Sequence, residues 1–112
     1  MRKFVIAAAG ALLLAAGASS ASIADAGLLD TVIVWPGGQV MVSTSGTRAS
    51  VPSCGSSHPR QFAFDSTTAA GRAQLSVLLT AYASGKSVRI IGTALCDVVG
   101  DTETINYFYT VD

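Results

Sequence analysis

The sequence predicts a mainly β fold with one helix, and three observations carry this prediction. A helical pattern that begins at Ser66 leads directly into a strand. Short runs rich in valine, isoleucine and aromatic residues lie on both sides of that helix, three before it and two after it. Glycine, proline and serine residues typical of turns separate the runs. The order β-β-β-α-β-β is that of an OB-like five-stranded, partly open barrel, and an open sheet with a helix on one face has the same order.

The helix has the clearest pattern in the chain. Four large apolar side chains recur at the spacing of one helical face: Leu75, Leu78, Leu79 and Tyr82. Ser66 or Thr67 can cap the start, and Gly85 can end the helix in a left-handed conformation. Gly71 costs about 1 kcal/mol against alanine, so it lies either in a fraying first turn or where another segment packs closely.

The first 21 residues have the features of a secretory signal peptide. Arg2 and Lys3 precede an apolar run over residues 4–16, and small residues follow it. Cleavage after Ala21 and cleavage after Ala26 both fit the small-residue rule. The alternative is an uncleaved anchor, but the run is shorter than the roughly 20 residues of a membrane-spanning helix. We therefore expect a periplasmic or secreted protein.

Residues 22–112 then form a single small domain. Removal of residues 1–21 leaves 91 of the 112 residues, with five basic and seven acidic side chains and a formal net charge of −2. A weakly acidic domain offers no electrostatic case for binding nucleic acid, because that binding depends on neutralising phosphates. We predict no nucleic-acid partner and no membrane span after cleavage.

Cys54 and Cys96 are predicted to form a disulfide, because export delivers them to an oxidising compartment. The loop that the bond would close contributes roughly 4 kcal/mol in the chain-entropy model. A redox pair or a metal site is the alternative. The wide spacing argues against a redox motif, and His58 is the one histidine, which leaves too few ligands for zinc.

The chain before the helix divides into a hairpin and a third strand. Residues 22–28 are predicted to be a short lead-in. The strands over residues 29–35 and 39–44 are joined by a turn at Pro36-Gly37-Gly38. Residues 45–59 form a loop, and residues 60–64 a short strand.

Two strands follow the helix, over residues 87–94 and 104–111, with a turn region between them. The alternation in the last strand assigns one set of side chains to a shared face, with the tyrosines in the core: Ile105, Tyr107, Tyr109 and Val111. Several strands carry apolar residues on both faces, which predicts a homo-oligomer. The competing explanation is that the helix covers one face of the strands and the barrel interior takes the other.

Three stretches carry a resemblance to known proteins: Phe62-Ala63-Phe64-Asp65, the helix end Ala81-Tyr82-Ala83-Ser84-Gly85-Lys86, and Gly92-Thr93 followed by Cys96. With them, residues 60–112 resemble a group of small, uncharacterised exported bacterial proteins. The join from the helix into Val88-Arg89-Ile90 is also similar to the OB-fold B subunits of subtilase and pertussis-like toxins. That resemblance implies rings of five subunits that bind cell-surface glycans. No residue here matches the glycan contacts of that family, so none is carried over.

Two groups of polar residues are candidates for chemistry. Asp97, Asp101 and Glu103 offer oxygen ligands for Ca²⁺, but their spacing is not that of a calcium loop, and a solvated turn is favoured. We predict no metal and no cofactor.

His58 could act as a base, but a hydrolase would need a pocket that joins it to an acid, and the sequence gives no sign of one. We therefore predict that the protein is not an enzyme.

Trp35 is the best candidate for a ligand or partner contact, because it stands at a strand end beside the Pro36-Gly37-Gly38 turn. The prediction is a secreted, non-catalytic binding module that binds a glycan or a surface protein. The alternative is a structural or accessory envelope protein, such as an inhibitor or stabilising partner, without a small-molecule ligand.

Overall fold

A computed structural model describes residues 21–112, so the predicted signal peptide lies outside the described residues except for Ala21. This part of the chain forms seven strands and one α-helix: β1 (Ile23–Gly27), β2 (Leu29–Val34), β3 (Gln39–Thr44), β4 (Arg48–Ala49), β5 (Gln61–Asp65), α1 (Ala69–Ser84), β6 (Ser87–Gly92) and β7 (Glu103–Val111). A short 3₁₀ helix spans Ser53–Gly55. No helix within residues 21–112 is long and apolar enough to cross a membrane.

The strands form one curled sheet, an open half-barrel, in the order β2-β3-β5-β7-β6-β1-β4. The pairing of β5 with β7 is parallel, and the other pairings are antiparallel. Leu28 alone separates β1 from β2, yet these two strands lie towards opposite ends of the sheet. A single N-terminal segment therefore contributes to both sides of the curl.

The prediction of a mainly β fold with one helix is confirmed, but the prediction of five strands in the order β-β-β-α-β-β is wrong. The supposed lead-in forms β1, which pairs with β6, and the supposed loop contains the two-residue strand β4, which pairs with β1. Alanine, aspartate and glycine in β1 have low β propensity. Its strand conformation comes from pairing along the edge of β6, where Ala24 lies opposite Ile90.

The core lies between the curled sheet and α1. It is made of fully buried apolar side chains from four strands and the helix: Ala24, Val40, Val42, Phe62, Phe64, Leu78, Val88 and Ile90. Alternate residues of β3, β5 and β6 supply most of these side chains, as the pleat of a strand requires.

The helix is rotated from its predicted orientation. Gly71, Leu78 and Ala81 are buried, whereas Leu79 and Tyr82 are nearly half exposed. Gly71 sets this rotation, because a Cβ there would lie 1.7 Å from the carbonyl oxygen of Asp65. The close-packing explanation for Gly71 is therefore confirmed.

The structure confirms the predicted cap at the C-terminal end of α1 but places a different residue at its N-terminal end. Thr68, rather than Ser66 or Thr67, is the N-cap, and its hydroxyl accepts a hydrogen bond from the Gly71 N–H at 2.9 Å. Gly85 ends the helix as predicted, with a φ of 67°.

A bulge in β7 overturns the predicted placement of its tyrosines. Ile91 pairs with Tyr107, but Gly92 pairs with Ile105, so Asn106 is an extra residue in β7. The extra residue reverses which side chains face inward beyond it. Ile105 is buried, while Tyr107 and Tyr109 are about half exposed and Phe108 packs against the core.

Candidate functional site

An open cleft of about 770 Å³ lies where the turn between β2 and β3 approaches the loops before β5 and β7. Its walls come from the ends of several elements of the sheet. They are lined by residues 35–37, Gln39, Met41, His58, Gln61, Val98, Val99 and Asp101. The cleft therefore brings together two residues singled out in the sequence, Trp35 and His58.

Trp35 is positioned by the tight turn that follows β2. Its N–H donates to the Gln39 carbonyl at 2.8 Å, and its carbonyl accepts from the Gly38 N–H at 2.9 Å. Gly38 has a φ of 93°, a conformation that favours glycine. The indole Nε1 donates to the Met41 sulfur at 3.3 Å, yet 47% of the residue is exposed. This arrangement holds an aromatic ring in place without burying it.

Gln61, the first residue of β5, carries an unused acceptor. Among the residues that the structure describes, its Oε1 is the buried side-chain oxygen or nitrogen without a hydrogen-bond partner. Such an atom loses its interaction with water and gains nothing in return, which costs about 1–3 kcal/mol. The same residue lines the cleft, so a hydroxyl group of a ligand could donate to it.

The side chains of His58 and Asp101, which both line the cleft, are in hydrogen-bond contact, with the histidine Nε2 3.1 Å from the aspartate Oδ2. Both side chains are partly exposed, at 40% and 57%. No pattern in the sequence indicated that a pocket would join His58 to an acid, and the structure contains this pairing. Among the described residues that line the cleft, there is no serine, threonine or cysteine to act as a nucleophile.

The predicted disulfide between Cys54 and Cys96 is present, with the two Cα atoms 6.1 Å apart. Cys54 lies in the 3₁₀ helix, four residues before His58, and Cys96 lies in the loop that carries Asp101. The bond thus ties together the two loops that form one end of the cleft. A metal site made of free thiols is inconsistent with this bond.

The three acidic residues considered for calcium point to different partners. Asp97 accepts from the Thr104 hydroxyl at 2.6 Å, and Asp101 pairs with His58. Glu103 is fully buried and pairs with Arg48, so the expectation of a solvated turn is wrong for this residue. Within residues 21–112, no three metal-ligating side chains lie close together.

The sequence does not indicate the buried pairing of Arg48 with Glu103. The guanidinium Nη2 lies 2.5 Å from the Glu103 carboxylate, and the Arg48 carbon Cζ lies 3.7 Å from the centre of the Phe62 ring. Burial lowers the pKa of Arg48, and the hydrogen bond to Glu103 opposes that effect. Arg48 Nη1 also donates to the Gln61 carbonyl at 3.2 Å, which fixes the backbone behind the cleft.

Comparison of the chain with protein-family models, with curated proteins and with solved structures found no match. The function is therefore argued from the geometry of the cleft.

Proposed function

We propose that the protein is an exported, non-catalytic binding module whose cleft takes an uncharged segment of a glycan. The observation that carries this proposal is that one cleft is lined by Trp35 and by Gln61, whose Oε1 has no hydrogen-bond partner. A sugar ring has an apolar C–H face that can stack on an indole and hydroxyl groups that can donate to an amide oxygen. Ligand sites commonly combine apolar walls with a few polar groups in this way.

The order of the strands supports an OB-like barrel as the framework for this function. If β1 and β2 are taken as two halves of one bent strand, and the two-residue β4 is set aside, five strands result with α1 between the third and the fourth. OB-folds bind oligosaccharides on the face of strands 2 and 3 and with the loops 1–2 and 4–5. In this chain the corresponding elements are β3, β5, the β2–β3 turn and the β6–β7 loop, which line the cleft.

The charge of the site favours a ligand without a net charge. The ionisable side chains that line the cleft, His58 and Asp101, pair with each other. The chain without residues 1–21 has a formal net charge of −2. A polyanion such as nucleic acid would meet no cluster of unpaired cations in the lining, and cations supply most of the affinity in such complexes.

The disulfide supports a periplasmic or secreted location, because such bonds persist in oxidising compartments.

Self-association is part of the proposal. Val77 of α1 and Tyr107 of β7 are each about half exposed and line the same shallow depression. An apolar surface of this kind is typical of an interface, so native mass spectrometry of the disulfide-bonded protein should give a homo-oligomer.

The test is a glycan array probed with the disulfide-bonded protein, followed by calorimetry of each hit in solution. Trp35→Ala is expected to weaken binding about thirtyfold, from the loss of about 2 kcal/mol at a central aromatic contact. Tyr82→Ala is the matched control, because this aromatic is exposed to the same extent but lies on α1, outside the cleft. An array without hits would favour the alternative, an accessory envelope protein without a small-molecule ligand.

The pairing of His58 with Asp101 supports a second candidate, a hydrolase in which His58 activates a water molecule. Incubating the array-binding glycans with the protein, and measuring new reducing ends, separates the two candidates. A binding module is expected to release none. Release that is lost in His58→Ala would establish the hydrolase.

A further inference from the structure

The chain passes from an exposed residue to a buried one at the junction of Ala21 and Ser22. Ala21 is exposed, whereas Ser22 has no exposed surface. The Ser22 carbonyl accepts a hydrogen bond from the Gly92 N–H at 2.9 Å, which continues the pairing of β1 with β6 by one residue. The ordered domain therefore includes Ser22.

The two hydrogen-bond donors of Ser22, its backbone nitrogen and its hydroxyl, face the carboxylate of Glu103. The Ser22 nitrogen lies 3.4 Å from Oε2, and the Ser22 hydroxyl donates to Oε1. Arg48 Nε donates to the same hydroxyl at 3.0 Å. The backbone nitrogen of the first buried residue thus faces a buried negative charge.

Glu103 is held rigidly in this position. The Ala94 N–H donates to Oε2 at 2.7 Å, and Arg48 Nη2 lies 2.5 Å from Oε1. The carboxylate also packs on Gly92, where an added Cβ would lie 2.1 Å from Oε2. Its location is therefore set by the sheet and by Arg48, independently of any charge on Ser22.

We propose that the chain is processed between Ala21 and Ser22, and that the new α-ammonium group of Ser22 binds the Glu103 carboxylate. Hydrolysis of this peptide bond adds the hydroxyl of water to the Ala21 carbonyl carbon and hydrogen to the Ser22 nitrogen. The resulting amine takes up a proton near neutral pH, since the pKa of an α-amino group is about 7.7–8.0. Processing converts a long contact between an amide and a carboxylate into a charge-assisted hydrogen bond.

The alternative cleavage, after Ala26, would dismantle this part of the fold. It would remove Ala24, which is fully buried in the core opposite Ile90. It would also remove the Asp25 carboxylate, which lies 2.6 Å from Arg89. Glu103 would lose the Ser22 hydroxyl as a donor. The structure therefore favours the first of the two cleavage sites allowed by the sequence.

The balance of charges around Ser22 permits the new ammonium. Arg48 and Glu103 face Ser22 as one positive and one negative group, and Asp25, three residues further along β1, pairs with Arg89 of β6. The ammonium adds one positive charge to this set, and removal of the exposed Ala21 opens it to water on one side. Partial hydration limits the cost of desolvating a second cation beside one carboxylate. This proposal is independent of the function proposed for the cleft.

The first experiment is the intact mass of the protein after export with its own N-terminal segment. The expected species begins at Ser22 and lacks two hydrogens because of the disulfide. A folded protein that begins at Gly27 would overturn the choice of cleavage site.

The second experiment tests the ion pair with two proteins released from a fusion by a protease that leaves no added residue. One begins at Ser22 and the other at Ala21, which moves the ammonium one residue away from Glu103. Near neutral pH the longer form is expected to melt about 4–8 °C lower. In a domain of this size, that shift corresponds to a loss of about 1 kcal/mol in the free energy of unfolding. At about pH 10 the amine is neutral, and the difference should disappear.

The direction of this pH dependence follows from linkage. An amine stabilised by a carboxylate contributes fully to stability below the pKa of the unfolded amine, and this contribution is lost as the pH rises through the higher folded pKa. Titrating tyrosine and lysine side chains affect both forms equally, so they cancel in the difference. Equal melting temperatures near neutral pH, or a difference that persists unchanged at about pH 10, would overturn the ion pair. In Glu103→Gln, if it folds, the added Ala21 should cause no shift.

Discussion

At the scale of single residues, Gln61 makes the most specific prediction about the cleft. Its buried Oε1 has no partner among the described residues, so Gln61→Met should leave the free energy of unfolding unchanged or raise it by up to about 1 kcal/mol. The same change should weaken glycan binding about tenfold, because it removes the acceptor. Urea denaturation and calorimetry measure the two effects.

Gln74→Met is the matched control, because this glutamine lies on α1 outside the cleft. It should bind glycan as the unchanged protein does. A Gln61→Met protein with undiminished affinity would contradict the role given to the amide oxygen.

Asp30 predicts a dependence of stability on pH. The hydroxyl of Ser43, and then the guanidinium of Arg60, hold the pKa of Asp30 below its usual value of 3.8. Because the folded pKa is depressed, the stabilisation is present above pH 3.8 and is lost as the pH falls through the lower folded value. The side chain is 40% exposed, so solvent screening limits the effect to less than about 1 kcal/mol.

Asp30→Asn should therefore lower the melting temperature slightly near neutral pH, and the difference should vanish at a pH well below the usual value for aspartate. Thermal melts of both proteins over this range measure it. A difference that stays constant down to strongly acidic pH would exclude the carboxylate as its cause.

Single residues of the cleft and of the buried ion pair differ in how far the sequence alone could identify them. Trp35 stood out in the sequence because a large aromatic residue lies next to a turn, and in the structure it lines the cleft. Arg48 and Glu103 were not identifiable, because they lie 55 positions apart and each resembles an ordinary surface charge. Only the folding of β4 against β1 brings Arg48 near Glu103.

At the scale of elements, α1 is positioned by Gly71. Gly71→Ala should gain about 1 kcal/mol of helix propensity, yet the new Cβ would meet the Asp65 carbonyl oxygen at 1.7 Å. We expect a net destabilisation of about 1–3 kcal/mol, as for other overpacked sites, measured by urea denaturation.

Ser76→Ala is the control on the same helix, because Ser76 is exposed. Its effect should stay within about 0.5 kcal/mol. A Gly71→Ala protein more stable than the unchanged one would refute the close contact between α1 and the end of β5.

The pattern of apolar residues predicted the existence and the C-terminal end of α1, but not its rotation. Apolar side chains cover more of the helix than one stripe, so periodicity could not distinguish Leu79 and Tyr82 from Ala81 as the buried positions. In β7 the extra residue Asn106 changes the inward face, and no local feature of the sequence marks such a bulge. Strand β1 was missed because its conformation depends on β6.

At the scale of the whole molecule, the disulfide links stability to the shape of the cleft. Replacing both cysteines by serine should cost roughly 4 kcal/mol of unfolding free energy, because the bond closes a loop between positions 42 apart. It should also weaken glycan binding, since the loops that carry His58 and Asp101 are no longer tied together.

Urea denaturation and calorimetry of the double variant test both effects, and the singly substituted proteins are avoided because each leaves a reactive thiol. A folded double variant that binds glycan with full affinity would show that the loops hold the cleft without the bond. The disulfide was predictable from the presence of two cysteines and a predicted export signal, whereas its position beside the cleft follows from the curl of the sheet.

The central claim is that a glycan binds in the cleft against Trp35, which is the one tryptophan of the chain. Its fluorescence can therefore be followed during titration with the glycans retained on the array, together with chitotetraose and galactose- and mannose-terminated oligosaccharides. The account predicts a saturable change in intensity or emission maximum for at least one of them, with the same affinity that calorimetry gives. Binding by calorimetry with no change in the fluorescence of Trp35, or with full affinity retained in Trp35→Ala, would contradict it.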